Sequence, residues 1–218
     1  MFAKLGALGR RGALMTAGVA AVLLAPMVAW PAASAGTAEQ ELPTGPVADQ
    51  MIELLKLQPG GVQVSDNALA WEDGATVVVW PSPGEEAAPA GLGENVRADV
   101  VESLDSALLA EQSGSGQGFS AMGSYTSCPS SYYCFYTSSN YDGTRYQFSS
   151  TCTGSASSWG FNNQTSSWAN RSGSKKIIYA YDYNGGPLLW HEPHPSQNSY
   201  VGSSDNNRMS YWRCSHTQ

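Results

Sequence analysis

The chain has 218 residues, with 18 Asp and Glu against 11 Lys and Arg, for a net charge of −7. That acidity argues against nucleic acid as a main partner. Beyond residue 35 no stretch reaches the roughly 18 apolar residues that a membrane-spanning helix requires.

Residues 1–35 read as an export signal. Lys4, Arg10 and Arg11 give a positive start, Ala13 to Val28 carries no charge, and Ala33-Ser34-Ala35 is a small-residue cleavage site. Arg10-Arg11 raises a twin-arginine route, but only Leu14 fits the rest of that pattern, which favours an ordinary signal. The product is expected to begin at Gly36 and to be secreted.

Charge then splits the chain in two. Residues 36–119 hold fourteen acidic side chains against Lys56 and Arg97, a net of −12, while residues 120–218 come to +2. The overall acidity therefore comes from residues 36–119. In that region Pro43 to Pro46 opens a helix. Val47, Met51, Ile52, Leu54 and Leu55 give it one apolar face, and Pro59-Gly60-Gly61 ends it. A hairpin follows, with Val62 to Trp71 as one arm, Glu72-Asp73-Gly74 as the turn and Ala75 to Trp80 as the other arm. Pro81 to Gly93 reads as a linker, Val96 to Ala110 as a second helix, and Ser113 to Gly118 as a flexible hinge. Only Trp71, Trp80 and Phe119 are aromatic here, so the region is expected to be a marginal appendage that processing could remove.

From Ser124 short aromatic runs alternate with Gly, Ser and Asn turns: Tyr132–Tyr136, Thr144–Phe148, Ile177–Tyr181 and Leu188–Trp190. This pattern predicts an all-β sandwich. Trp159 and Trp168 are expected to fill its core rather than to form a sugar-stacking platform. All four cysteines lie here: Cys128, Cys134, Cys152 and Cys214. In an oxidising compartment they read as two disulfides with three pairings open. The short gap suits a Cys128–Cys134 loop, which leaves Cys152 with Cys214. A zinc site is disfavoured, because the histidines are not spaced against the cysteines as ligands.

One heptapeptide occurs twice, as Asn162-Asn163-Gln164-Thr165-Ser166-Ser167-Trp168 and as Asn206-Asn207-Arg208-Met209-Ser210-Tyr211-Trp212. Both Asn, the fifth-position Ser and the Trp are shared, which points to two packed copies of one small unit.

Tyr136-x-x-x-x-Tyr141-x-Gly143 resembles the Greek-key opening of βγ-crystallins, and Asn162 to Ser167 fits their N/D-N/D-x-x-S/T-S turn. The resemblance implies a two-motif Greek-key βγ-crystallin-like sandwich over residues 120–218. Cys128-Pro129-Ser130 with Cys134-Phe135-Tyr136 resembles a secreted actinobacterial peptidase-inhibitor family, whose founding members block thermolysin-like metalloproteases. The Gly60–Val78 stretch and the Asp205–Cys214 ending resemble parts of the same family. The second repeat departs from the pattern. Its opening reads as Tyr179-x-x-x-x-Asn184 anchored on Gly186, or as Ile178-x-x-x-x-Tyr183 anchored on Gly185, and Tyr211 replaces the last Ser.

The leading expectation is therefore a monomeric protease inhibitor whose partner is an extracellular protease. Such a protein needs a rigid, substrate-like segment. Gly185 to Ser199 is the candidate, with Leu188, Leu189 and Trp190 as contacts; the competing reading puts Leu188 and Trp190 in a core strand. His191 and His194 fall one residue short of H-E-x-x-H, and Pro193 disfavours its helix. The second expectation is weak calcium binding, the one cofactor the chain suggests. By the crystallin resemblance Asn162, Asn163 and Ser166, with Asn206, Asn207 and Ser210, would exchange ligands across the repeats. Simple turn capping competes with it. Catalysis has little support, since neither a nucleophile elbow nor paired carboxylates occur in the β region. A killer-toxin-like protein acting on another organism's surface is a third class.

Overall fold

The computed structural model describes residues 42–92, 123–173 and 176–216. They lie within one compact unit, Glu41–Gln218. The export signal, the second helix and the Ser113–Gly118 hinge of the sequence reading fall outside the described residues.

Helix α1 (Ala48–Leu57) turns Met51 and Leu54 inward, as its apolar spacing requires. Three short strands follow, β1 (Val62–Ser65), β2 (Ala68–Trp71) and β3 (Thr76–Val79). The expected long arm from Val62 to Trp71 is thus two strands, folded at Asp66-Asn67, because a polar Asp-Asn pair reverses the chain there. The next reversal follows the expected sequence. Glu72 and Asp73 both take φ of 51°, the left-handed pair that a tight primed hairpin turn demands.

The β region begins with β4 (Tyr133–Tyr136), β5 (Arg145–Phe148), β6 (Thr153–Ser155) and β7 (Ser167–Asn170). A second set repeats it: β8 (Lys176–Tyr181), β9 (Leu188–Glu192), β10 (Ser196–Asn198) and β11 (Tyr211–His216). One sheet runs β5-β4-β7-β10 and the other β6-β11-β8-β9. Each set therefore keeps three strands in its own sheet and lends its third strand to the other. That exchange is the two-motif Greek-key sandwich of the βγ-crystallin type.

The first sheet does not end at β5. Strand β3 pairs antiparallel with it over Thr76↔Phe148, Val77↔Gln147, Val78↔Tyr146 and Val79↔Arg145, giving a seven-stranded sheet, β1-β2-β3-β5-β4-β7-β10. Residues 42–92 are consequently no appendage in this structure. Leu69, Val78 and Met51 join Phe135, Phe148 and Trp212 in one apolar core. The few aromatics of the first region suffice because they pack into a neighbour's core rather than building their own. The Pro-rich stretch after β3 is likewise no free linker. Ala87 and Ala88 are buried, and the Gly143 N–H donates to the Glu86 carbonyl at 2.7 Å.

Trp168 is buried and Trp159 packs against the same core. The disulfides are Cys128–Cys134 and Cys152–Cys214.

Candidate functional site

Two surfaces of the sandwich hold the residues singled out by sequence. The first is the meeting point of the duplicated turns. Asn163 and Asn207 occupy equivalent left-handed positions, with φ of 55° and 59°. Each sends its backbone N–H into the other repeat: Asn163 donates to the Met209 carbonyl at 3.0 Å and Asn207 to the Thr165 carbonyl at 3.1 Å. The side chains cross in the same sense. Ser210 Oγ donates to Asn163 Oδ1 at 2.8 Å, and Ser166 Oγ donates to Asn207 Oδ1 at 3.4 Å. Ser166 Oγ also reaches the Thr137 carbonyl at 3.1 Å. Asn206 Oδ1 is buried and has no hydrogen-bond donor among the described residues. Asn162 is exposed.

These donors are oxygen atoms of neutral groups, the kind hard cations accept. The nearest carboxylates are already engaged. Arg208 holds Asp182 at 2.8 Å and Asp205 at 3.6 Å, so the second turn carries a cation among its neighbours. Among the described residues no group of three His, Cys, Asp or Glu side chains is placed to hold a metal.

The second surface is β9, the last strand of its sheet. The candidate segment Gly185–Ser199 is in large part this strand, as the competing reading of Leu188 and Trp190 has it. Leu188 stands 48% exposed at its start, while Leu189 and Trp190 are half-buried against the core. Leu189 falls at a bulge, because Ala180 pairs with Trp190 and Tyr181 with Leu188. Trp190 Nε1 donates to Glu192 Oε1 at 2.8 Å. Glu192 is fully buried, and burial pushes its carboxyl well above the usual carboxylate range, the Trp190 hydrogen bond opposing. His191 lies beside Tyr179 with ring centroids 6.3 Å apart. His194 Nδ1 accepts the Gly173 N–H at 3.2 Å. Both histidines thus sit on strand and turn, not on the helix that a zinc-binding H-E-x-x-H needs.

The structure also resolves the imperfect second motif. Tyr136 pairs with Arg145 to close the first folded hairpin over 137–144, whereas Tyr181 pairs with Leu188 to close the second over 182–187. The Ser166 N–H donates to the Tyr136 carbonyl at 2.9 Å and the Ser210 N–H to the Tyr181 carbonyl at 3.1 Å. Tyr181 is therefore the counterpart of Tyr136, and neither glycine anchor finds it, because the second hairpin is two residues shorter.

Sequence reasoning missed Arg145. It lies in a run read only as a strand, yet its side chain is fully buried. Its Nη2 donates to the carbonyls of Pro89 at 2.9 Å and Leu92 at 3.2 Å, and its Nε to Gln147 Oε1 at 2.8 Å. Burial lowers its pKa to about 10, with Tyr136 countering. A charged residue inside an aromatic strand was the available signal, since it must either meet solvent or find buried acceptors.

Comparison with known proteins adds the following. The model of peptidase inhibitor family I36 matches residues 121–191, the stretch that takes in β4 to most of β9. No curated protein matches the chain. Among solved structures, a βγ-crystallin domain from Clostridium beijerinckii is 20% identical, covering 39% of this chain and 99% of its own, with a TM-score of 0.33. A structure bearing on the evolution of the eye lens βγ-crystallin domain fold is 17% identical, covering 41% of this chain and 89% of its own, with a TM-score of 0.34. The match to an inhibitor family points to a non-enzymatic protein whose partner is a protease. Among the described residues no helix is long and apolar enough to cross a membrane. Residues 121–191 are thus similar to peptidase inhibitor family I36, and they lie in a two-motif Greek-key sandwich.

Proposed function

We propose that this protein is a secreted, monomeric inhibitor of an extracellular protease of the thermolysin-like metalloprotease class. It would act through the start of β9 and the turn that leads into it. The observation that carries this reading is the position of Leu188. It is exposed at the head of a strand that is the last of its sheet among the described residues, directly after Pro187, while Leu189 and Trp190 hold the strand to the core. Proteases bind peptides in extended form, and an edge strand offers that form already ordered, so little freedom is lost on binding. Thermolysin-like enzymes favour large apolar residues beside the scissile bond, and Leu188 presents one. Secretion is supported by the signal-like first 35 residues and by two disulfides.

The test is residual activity of a thermolysin-like metalloprotease titrated with residues 36–218, with subtilisin-like and papain-like enzymes as controls. Stoichiometric loss is expected for the metalloprotease. Leu188→Asp should weaken inhibition at least tenfold without changing the melting temperature. Full activity of every protease would end the proposal, and equal inhibition by Leu188→Asp would move the contact elsewhere.

A second reading, weak calcium binding, is favoured by one observation: the reciprocal Asn–Ser contacts beside the unsatisfied Asn206 Oδ1. With neutral donors and Arg208 nearby, the dissociation constant would lie on the order of 10⁻⁴ to 10⁻³ M. At ten times that concentration calcium would add about 1.4 kcal/mol of stability. A calcium titration followed by melting should show that gain in wild type and lose it in Asn163→Ala combined with Asn207→Ala. An unchanged wild-type melt at 10 mM calcium would leave the turns as caps.

A further inference from the structure

The family segment begins at residue 121, yet the sandwich is not complete without chain that precedes it. Strand β5 would be the edge of its sheet, with Tyr146 and Phe148 on the border of the core. Instead β3 occupies that edge along its whole length. Below the sheet, Trp71 meets Trp159 edge-on at 5.1 Å, and Trp159 meets Phe148 at 5.5 Å, so α1 and β2 close the open end of the sandwich. Across the outer face, the 81–92 stretch lies over Val77 and Val79, which are fully buried. Arg145 clamps it through the Pro89 and Leu92 carbonyls. Tyr132 Oη donates to the Gly74 carbonyl at 2.5 Å, binding the β2–β3 turn to the far side of β4.

All of these contacts are non-covalent. The four cysteines pair within residues 128–214, so no disulfide joins residues 42–92 to the rest.

We infer that residues 42–92 are a built-in strand donor, which completes the β5 edge of the inhibitor-family sandwich and stays bound to it when the chain is cut between Leu92 and Gly123. Processing in that interval then yields a two-chain protein, not a released domain. The acidic segment is part of the working form. The β5 edge is accordingly a surface that takes a strand with β-branched side chains on both faces, Thr76 and Val78 toward the core and Val77 and Val79 toward the covering stretch.

The experiment is a cut chain. A recognition sequence for a specific protease replaces Ser113–Gly118 in the full chain, which is cleaved after folding. At micromolar concentration the fragments should elute together on native size exclusion and separate only on a denaturing gel. Val78→Asp should release the N-terminal fragment after cutting. Before cutting the same variant should still elute as a folded monomer, because the tether keeps the two parts at high local concentration. Val62→Asp, on the exposed outer edge of β1, should leave the cut complex intact. Separation of the wild-type fragments in native buffer would overturn the inference, as would co-elution unaffected by Val78→Asp. The readout is co-elution, so a failed protease titration would leave it standing.

Discussion

The five middle strands of the seven-stranded sheet are buried on both faces, whereas the four-stranded sheet buries one. In the first, every residue of β2, β3, β4, β5 and β7 is buried. Chain from residues 81–92 and from the Cys128–Tyr132 region covers its outer side. In the second, β8 alternates, with Ile178 and Ala180 inside and Tyr179 and Tyr181 half-exposed. Two copies of one motif have thus met opposite environments, and the reason is the chain laid over one of them: Ala88 and Leu92 cover β2 and β3, while Tyr125, Cys128, Tyr132 and Tyr141 cover β4 and β7. A surface tyrosine in one repeat is a core tyrosine in the other.

The counterparts Tyr136 and Tyr181 should show this most strongly. Tyr136 is 1% exposed, shares a hydrogen bond with Ser127 Oγ at 3.0 Å and meets Tyr141 edge-on at 5.5 Å. Burial pushes its pKa up to about 12. Tyr136→Ala is expected to cost about 3–5 kcal/mol in urea unfolding. Tyr181 lies under Arg213, 4.8 Å from the ring, and Tyr181→Ala should cost about 1 kcal/mol or less. Equal losses would mean that the two outer faces do not differ.

The disulfides sharpen the contrast at the next level. Cys152–Cys214 closes a separation of 62 residues and Cys128–Cys134 one of 6. Loop entropy assigns them roughly 4 and roughly 2 kcal/mol. Paired Cys→Ser variants followed by thermal melting should keep that order; a reversed order would place the larger constraint in the first sheet.

The smallest effect concerns acidity. Glu192 has its carboxyl raised by burial, so the folded state holds its proton more tightly than the unfolded chain does. Its favourable contribution is full below the ordinary glutamate range and is lost as pH rises through the raised value. Glu192→Gln should flatten the decline in urea midpoint between pH 5 and pH 8 and stabilise the neutral-pH protein. A parallel pH profile in the variant would show that Glu192 ionises without cost.

Much of this was legible in the sequence. The aromatic runs from Tyr132 onward became strands, the cysteine spacing matched the bonded pairs, and the repeated Asn-Asn turns face each other. These features are local, or they repeat. The β3–β5 pairing was hidden because nothing near Thr76–Val79 marks a partner that lies some seventy residues on. The 81–92 stretch looked flexible from its Pro and Gly content, and its order comes from Arg145 and Gln147, far away in the chain. The start of β9 reads in sequence either as an exposed inhibitory segment or as a core strand, because it carries both Leu188–Trp190 and the preceding Gly185-Gly186-Pro187; pairing with β8 decides its state.

Native-state hydrogen exchange tests the unity of these parts most directly. If residues 42–92 belong to the sandwich, the amides of β2 and β3 should exchange with the same opening free energy as those of β4, β5 and β7, through global unfolding. Exchange of β1–β3 through a lower-energy opening, with β4, β5 and β7 still protected, would contradict the account and restore the segment to a detachable arm.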